Sequence, residues 1–321
     1  MLKSPFPYGV GLLTILSIAL AGCASTTQSQ SQTQDLGPGA AGKGNLEVAQ
    51  LQSGGRKRTY LVGLPGEYSS AKRWPLVFVL HGSLQNGQVA AQISRFDEFA
   101  YRNGIIVVFP DSAGATFDWR GISDVEFFTA MIDSLEASYS VDASRIYVTG
   151  GSSGGFMVFK LACDLADRIA AIAPVVAIMP VSLSESCHPT RPVPVLEING
   201  TSDRHMPYDG GIKLVGGAIG THLLSAQSSA HWWAQLDGCA EAPARDSLPP
   251  KTKDGLETRR EMYSACRNGT EVALYTVVGG GHNWPGGEHL PRIFAGRMSL
   301  DLDANEVIWQ FFQVHPLPET H

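Results

Sequence analysis

The chain of 321 residues is short of positive charge. Lys and Arg number 24 against 30 Asp and Glu, a formal charge of −6, and charged residues make up only 17%. A nucleic-acid binder normally carries a basic excess, so this balance argues against that class of partner. No CxxC pair is present, which removes the usual ligand spacing of a structural zinc site. The 35 Gly and 19 Pro show no collagen-like period, and no internal repeat is visible. The apolar run near the N-terminus, residues 10–21, falls short of the roughly 20 residues a membrane-spanning helix needs. What remains is a chain with 44% hydrophobic residues, 13 Phe, 9 Tyr and 6 Trp, too apolar to be wholly disordered.

That N-terminal run follows Lys3 and leads into Leu20-Ala21-Gly22-Cys23. A positive start, a short apolar stretch and small residues describe an export signal. The final four residues resemble a bacterial lipobox, which implies cleavage before Cys23 and a lipid on its thiol. The expected organisation is a signal peptide over 1–22, and lipidated Cys23 with a flexible tether over 23–44. A single catalytic domain over 45–321 follows. Membrane contact is then expected through the Cys23 lipid alone, in the cell envelope or beyond it. The tether is Ser, Thr, Gln, Gly and Ala, with too little apolar surface to offset its ordering entropy.

Four cysteines are left, and an exported protein can oxidise them. Cys239 and Cys266 bracket a polar excursion without strong periodicity, so a Cys239–Cys266 bond would staple it. Cys163–Cys187 follows by elimination.

From residue 44 onward, apolar runs alternate with helical patterns. Strands are predicted over 58–64, 75–80, 105–109, 145–148, 171–177, 193–198 and 272–278. Helices are predicted over 89–101, 125–139, 155–166, 221–235 and 305–314. Continuous apolar runs suit strands covered on both faces, so the fold class is α/β with a mostly parallel central sheet and helices on both faces.

The chemistry sits at strand ends. Gly150-Gly151-Ser152-Ser153-Gly154-Gly155 fits the G-x-S-x-G nucleophile elbow after an apolar strand. Two registers are open; the strand ends at Thr149, which favours Ser152 as nucleophile. The Ser153 amide, one residue on, then becomes an oxyanion donor. His282, in the glycine-rich loop after the last strand, is the candidate base, since imidazole takes and returns a proton near neutral pH. Asp203, past the strand at 193–198, lies between serine and histidine in chain order and is the candidate orienting acid. Asp209 competes with it but lies farther along the loop. Leu80-His81-Gly82-Ser83 ends the first central strand, making the Ser83 amide the second oxyanion donor and tying the His81 ring into the turn. His205 and Trp284 flank the acid and base and are expected to line the substrate pocket with His81. Trp119 and the pair Trp232-Trp233 are candidate stacking surfaces, although core packing suits at least one of that pair.

Together, Leu80-His81-Gly82, Thr149 to Gly155, Asn199-Gly-Thr-x-Asp203 with Pro207-Tyr208-x-Gly210-Gly211, and Gly281-His-x-Trp-Pro-Gly-Gly287 resemble the esterase/poly(3-hydroxybutyrate) depolymerase family. That family overlaps feruloyl and acetylxylan esterases. Asp124-Val-Glu-Phe127 and Val307-Ile-Trp-Gln-Phe-Phe312 extend the likeness. It implies an α/β-hydrolase fold, a triad of Ser152, His282 and Asp203, no cofactor, no metal, and a polyester-oligomer, feruloyl or acetyl ester as substrate. Two positions depart from the pattern: Asn199 stands where His is frequent, and Ser83 where Cys is frequent. Hydrolysis of amide-linked polymers, or a non-catalytic binding lipoprotein on the same scaffold, are the rival readings.

Overall fold

The computed structural model describes residues 44–318 apart from 216 and 217. The signal peptide, Cys23 and all of the tether except Gly44 lie outside the described residues. The strands are β1 (Leu46–Ser53), β2 (Arg56–Gly63), β3 (Trp74–Leu80), β4 (Ile106–Pro110), β5 (Val141–Gly151), β6 (Ala171–Val175), β7 (Val195–Gly200), β8 (Gly211–Val215), β9 (Ala218–Leu223), β10 (Ala244–Ser247), β11 (Glu257–Tyr263) and β12 (Val272–Val278). The helices are α1 (Gly87–Ser94), α2 (Phe96–Asn103), α3 (Ser123–Ser138), α4 (Ser153–Asp164), α5 (Val181–Ser184), α6 (Ala226–Leu236), α7 (Arg292–Ala295) and α8 (Ala304–Gln313).

Ten strands form one sheet in the order β1-β2-β4-β3-β5-β6-β7-β12-β11-β10. The six central strands, β4 to β12 in that order, are parallel, and both edges are antiparallel. All seven residues of β3 are buried, as a strand covered on both faces requires. Its alternating side chains divide between two cores. Leu76, Phe78 and Leu80 join Phe128 of α3, Phe159 of α4 and Trp233 of α6. Val77 and Val79 join Phe96 of α2 and Ile308 and Phe312 of α8. The sheet is therefore mostly parallel with helices on both faces, the α/β-hydrolase architecture.

Three local features depart from the sequence reading. The helix predicted over 89–101 is two helices, because Arg95 turns left-handed at φ 52°. Ser94 promotes the break: its Oγ donates to Ala90 O and accepts from Phe96 N–H, offering the backbone an alternative to the helical ladder. The N-terminal part of the helix predicted over 221–235 belongs to β9, and α6 begins only after Ser225, whose side chain accepts from Ser228 N–H. The polar excursion over 240–264 contains β10 and β11, a charged sheet edge bearing the Arg260–Asp246 and Arg245–Glu261 pairs. Cys239–Cys266 closes it, and Cys163–Cys187 ties the end of α4 to the segment before β7.

Candidate active site

The chain reverses between β5 and α4 at Ser152, which takes φ 58° and ψ −126°. Ser152 N–H donates to Val175 O at 3.0 Å, and Gly155 N–H donates to Ser152 O at 3.0 Å. The surrounding contacts leave no room for side chains. A Cβ at Gly150 would lie 2.7 Å from Leu80 Cβ, at Gly154 2.5 Å from His81 O, and at Gly155 2.3 Å from Ala177 Cβ. At Gly151 the nearest atom would be 3.8 Å away, an ordinary contact. Ser153, in contrast, is buried as the first residue of α4, and its Oγ accepts from Ser83 Oγ at 2.9 Å.

The loops after β7 and β12 bring Asp203 and His282 together. Asp203 Oδ2 lies 2.7 Å from His282 Nδ1, and Oδ1 accepts from the amides of His205 and Met206 at 2.7 and 2.9 Å. A carboxylate only accepts, so Nδ1 carries the hydrogen and Nε2 keeps its lone pair. Ser152 and His282 line the same cleft. Ser152 Oγ makes no hydrogen bond among the described residues; bonds of this kind tighten in the substrate complex. The loop carrying His282 is braced from two segments. Gly281 N–H donates to Arg297 O at 2.8 Å, and Asn283 Nδ2 to Ala295 O at 2.7 Å. Trp284 Nε1 donates to Asn305 Oδ1 at 2.8 Å, and Asn305 Nδ2 reaches Ser94 O at 2.9 Å. α8 and the end of α1 thereby hold the loop.

After β3, His81 accepts from Ser112 N–H through Nε2 at 3.0 Å and donates from Nδ1 to Gly82 O at 2.7 Å. Burial pushes its pKa below the ordinary histidine value, which keeps the ring neutral in this role. Gln85 Oε1 accepts from Gly82 N–H at 2.9 Å. The amides of Ser83 and Ser153 have no acceptor among the described residues. They sit in the two turns joined by the Ser83–Ser153 hydroxyl bond.

The cleft is half open, with a cavity of about 70 Å³, and His81, Ser152, His282 and Trp284 all line it. His205, expected to line the cleft, does not: it is exposed beside His282, its ring 5.0 Å from that of His282 and its Nε2 3.0 Å from Phe294 O, which turns it to the segment after β12. Trp119 does not line the cleft: it is 4% exposed and packs edge-on against Phe156, with the Arg120 guanidinium 4.0 Å over its ring. Trp233 likewise is fully buried against Phe159. Sequence reasoning missed Gln85, Ile93, Val176 and Leu290, which complete the wall. Val176 has φ 44°, costly for a β-branched residue, and nothing in its apolar run signals that strain. Among the described residues no group of three or more His, Cys, Asp or Glu side chains is placed to hold a metal ion.

Residues 98–190, which include the Ser152 turn, match the prolyl oligopeptidase family. A probable feruloyl esterase C of Aspergillus clavatus is 32% identical over 231 residues, 70% of this chain and 76% of that protein. The chain belongs to the feruloyl esterase family. Feruloyl esterase B of Piromyces equi is 30% identical over 235 residues. Here the chain spans only 42% of the relative's length. Among solved structures, an acetyl xylan esterase from Aspergillus awamori aligns with a TM-score of 0.58 at 16% identity, covering 83% of this chain and 99% of that one. At that identity the likeness is one of fold, and it is the α/β-hydrolase fold that is shared. The resemblance carried by the four sequence motifs therefore holds for its feruloyl and acetylxylan esterase branch.

Proposed function

We propose that this member of the feruloyl esterase family hydrolyses carboxylic esters through Ser152, His282 and Asp203. Feruloyl and acetyl esters and hydroxyalkanoate oligomers are the substrate classes. The observation that carries the reading is the Asp203–His282 hydrogen bond of 2.7 Å opening onto the same cleft as the strained Ser152 turn. Ser152 Oγ attacks the ester carbonyl carbon while His282 Nε2 takes its proton. The tetrahedral oxyanion accepts from the Ser83 and Ser153 amides. Collapse expels the alcohol, which takes the proton from His282. Water, deprotonated by the same imidazole, then attacks the acyl-serine and releases the acid. Asp203 stays ionised and holds the imidazolium.

The test is hydrolysis of p-nitrophenyl acetate, p-nitrophenyl butyrate and methyl ferulate by the parent and by Ser152→Ala. We expect turnover by the parent and a loss on the order of 10⁶-fold in the variant. Undiminished activity in Ser152→Ala refutes the assignment. Amide hydrolysis is the second reading, favoured by the match of residues 98–190 to the prolyl oligopeptidase family. Matched amide substrates in the same assay decide it.

The two disulfides support an oxidising, exported location, and we place the lipid on Cys23. Mass spectrometry of the N-terminal peptide from the envelope-bound protein is expected to show a diacylglyceryl Cys23. An unmodified peptide beginning upstream of residue 23 would sink that proposal.

A further inference from the structure

We propose that a cationic groove beside the catalytic cleft binds a carboxylate on the substrate chain, so that anionic ester oligomers are preferred over neutral ones. The inference rests on the ester-hydrolase reading of the cleft and names a substrate class for it. The groove is open, about 560 Å³, and is lined by Lys253, His289, Arg292 and Arg297 with Asp254 as its one carboxylate. Leu290 lines both this groove and the cleft that holds Ser152 and His282, so the two are neighbours.

Three fixed cations facing one space are unusual on a chain of net charge −6. Arg297 is engaged with Asp254, but Lys253 and Arg292 are not paired among the described residues. Elsewhere Arg260, Arg259 and Arg168 lie in ion pairs with nearby carboxylates. Arg297 donates to the backbone carbonyl of Asp254. The Asp254 carboxylate is turned to the amides of Leu256 and Leu300, at 2.8 and 2.7 Å, which with Arg297 hold its pKa below the ordinary range. It is ionised, but its oxygens already have donors. Two further acids lie close by and neither is part of the lining: Glu288, exposed and next to His289 in sequence, and Asp301, buried behind the wall, whose Oδ1 accepts from the amides of Lys251 and Thr252.

The groove is also built onto the site rather than merely near it. Arg292 and Arg297 bracket the segment whose carbonyls at Phe294, Ala295 and Arg297 meet His205, Asn283 and Gly281. These are the residues around the base. The guanidinium fork of Arg292 suits a carboxylate in bidentate geometry. Ile293 and Phe294, 81% and 71% exposed, offer apolar surface on the same segment. A ligand with an apolar body and an acidic end matches this arrangement. The free carboxyl terminus of a hydroxyalkanoate oligomer and a uronate branch on an acylated polysaccharide both supply that chemistry.

The experiment compares two substrate pairs. One is the 3-hydroxybutyrate trimer as free acid and as methyl ester. The other is acetylated xylo-oligosaccharide with and without a glucuronosyl branch. In the parent, kcat/KM is expected to favour the acidic member of at least one pair, and the pair that responds identifies the source of the carboxylate. In Lys253→Glu/Arg292→Glu the acid-to-neutral ratio falls by about fivefold or more, carried by KM, since exposed ion pairs are individually weak. Raising the salt from about 0.05 to about 0.5 M lowers the same ratio in the parent, because exposed charges are screened. Lys253→Ala/Arg292→Ala gives a smaller loss of the same sign and guards against misfolding of the reversal variant. No acid preference in either pair, or a ratio that the variants and salt leave unchanged, overturns the inference. If the parent turns over no ester at all, the hydrolase reading fails instead. Calorimetric binding of the acid and methyl-ester trimers to Ser152→Ala then still decides the groove: tighter binding of the acid upholds it, and equal binding ends it.

Discussion

Among the described residues, three of the six non-glycine residues with positive φ are Leu84 at 60°, Ser152 at 58° and Val176 at 44°. Each such backbone costs about 1–3 kcal/mol, and all three lie in loops around the cleft. The strain at Ser152 was legible, because a G-x-S-x-G run at a strand end has a known consequence. That at Val176 was not, because it arises where the chain leaves β6 and bonds to Ile198 O at 2.7 Å. Asp203 offers the sharpest residue-scale test. In Asp203→Asn the side-chain oxygen can still accept from the His205 and Met206 amides, so the loop should hold. The amide NH₂ then faces His282 Nδ1 and forces the hydrogen onto Nε2, the tautomer unable to take the serine proton. We expect kcat to fall by roughly 10³–10⁴-fold with an unchanged melting temperature. A variant with a tenth or more of the parent kcat would rule out the orienting role.

The β5–Ser152–α4 unit depends on backbone proximity as much as on its serine. In Gly155→Ala the new Cβ would meet Ala177 Cβ at 2.3 Å, and neither atom can turn away because both are fixed to backbone. Overpacking of this kind costs about 1–3 kcal/mol, or at least about 3 °C in melting temperature. Gly151→Ala meets Trp284 at 3.8 Å and should melt within about 1 °C of the parent. Equal melting temperatures for the two variants would contradict this account of the elbow. At the same scale, the central strands were readable as continuous apolar runs. The edges were not: β1, β10 and β11 expose most of one face, and their polar side chains leave a weak periodic signal. The break at Arg95 was hidden because both halves carry the same helical pattern.

Across the whole molecule, stability should respond to buried acids that the site does not use. Glu197, on β7, is fully buried and accepts one bond, from Ser229 Oγ at 2.7 Å. Burial pushes its pKa up to about 8, and that of Asp237 up to about 7. The unfolded chain ionises Glu197 near pH 4.5, whereas the folded protein keeps it protonated to about pH 8. Stability therefore falls as pH rises through that window. His81 acts in the opposite sense, since its lowered pKa means stability is lost as pH falls below about 6.5. Glu197→Gln mimics the protonated acid. It should match the parent melting temperature near pH 5 and exceed it by about 3 °C or more near pH 8.5. A gap that does not widen with pH would refute the protonated Glu197. By itself the sequence determined the α/β class and the placing of Ser152, Asp203 and His282 at strand ends. These are set by local rules: apolar runs make strands, glycines make the elbow, and loops at strand ends carry the reactive groups. Only the tertiary structure decided that Trp119 belongs to the core, that Val176 and Leu290 wall the cleft, and that Lys253 and Arg292 face one groove beside it. Burial and proximity between distant segments follow from how the sheet and helices pack, and no local pattern encodes that.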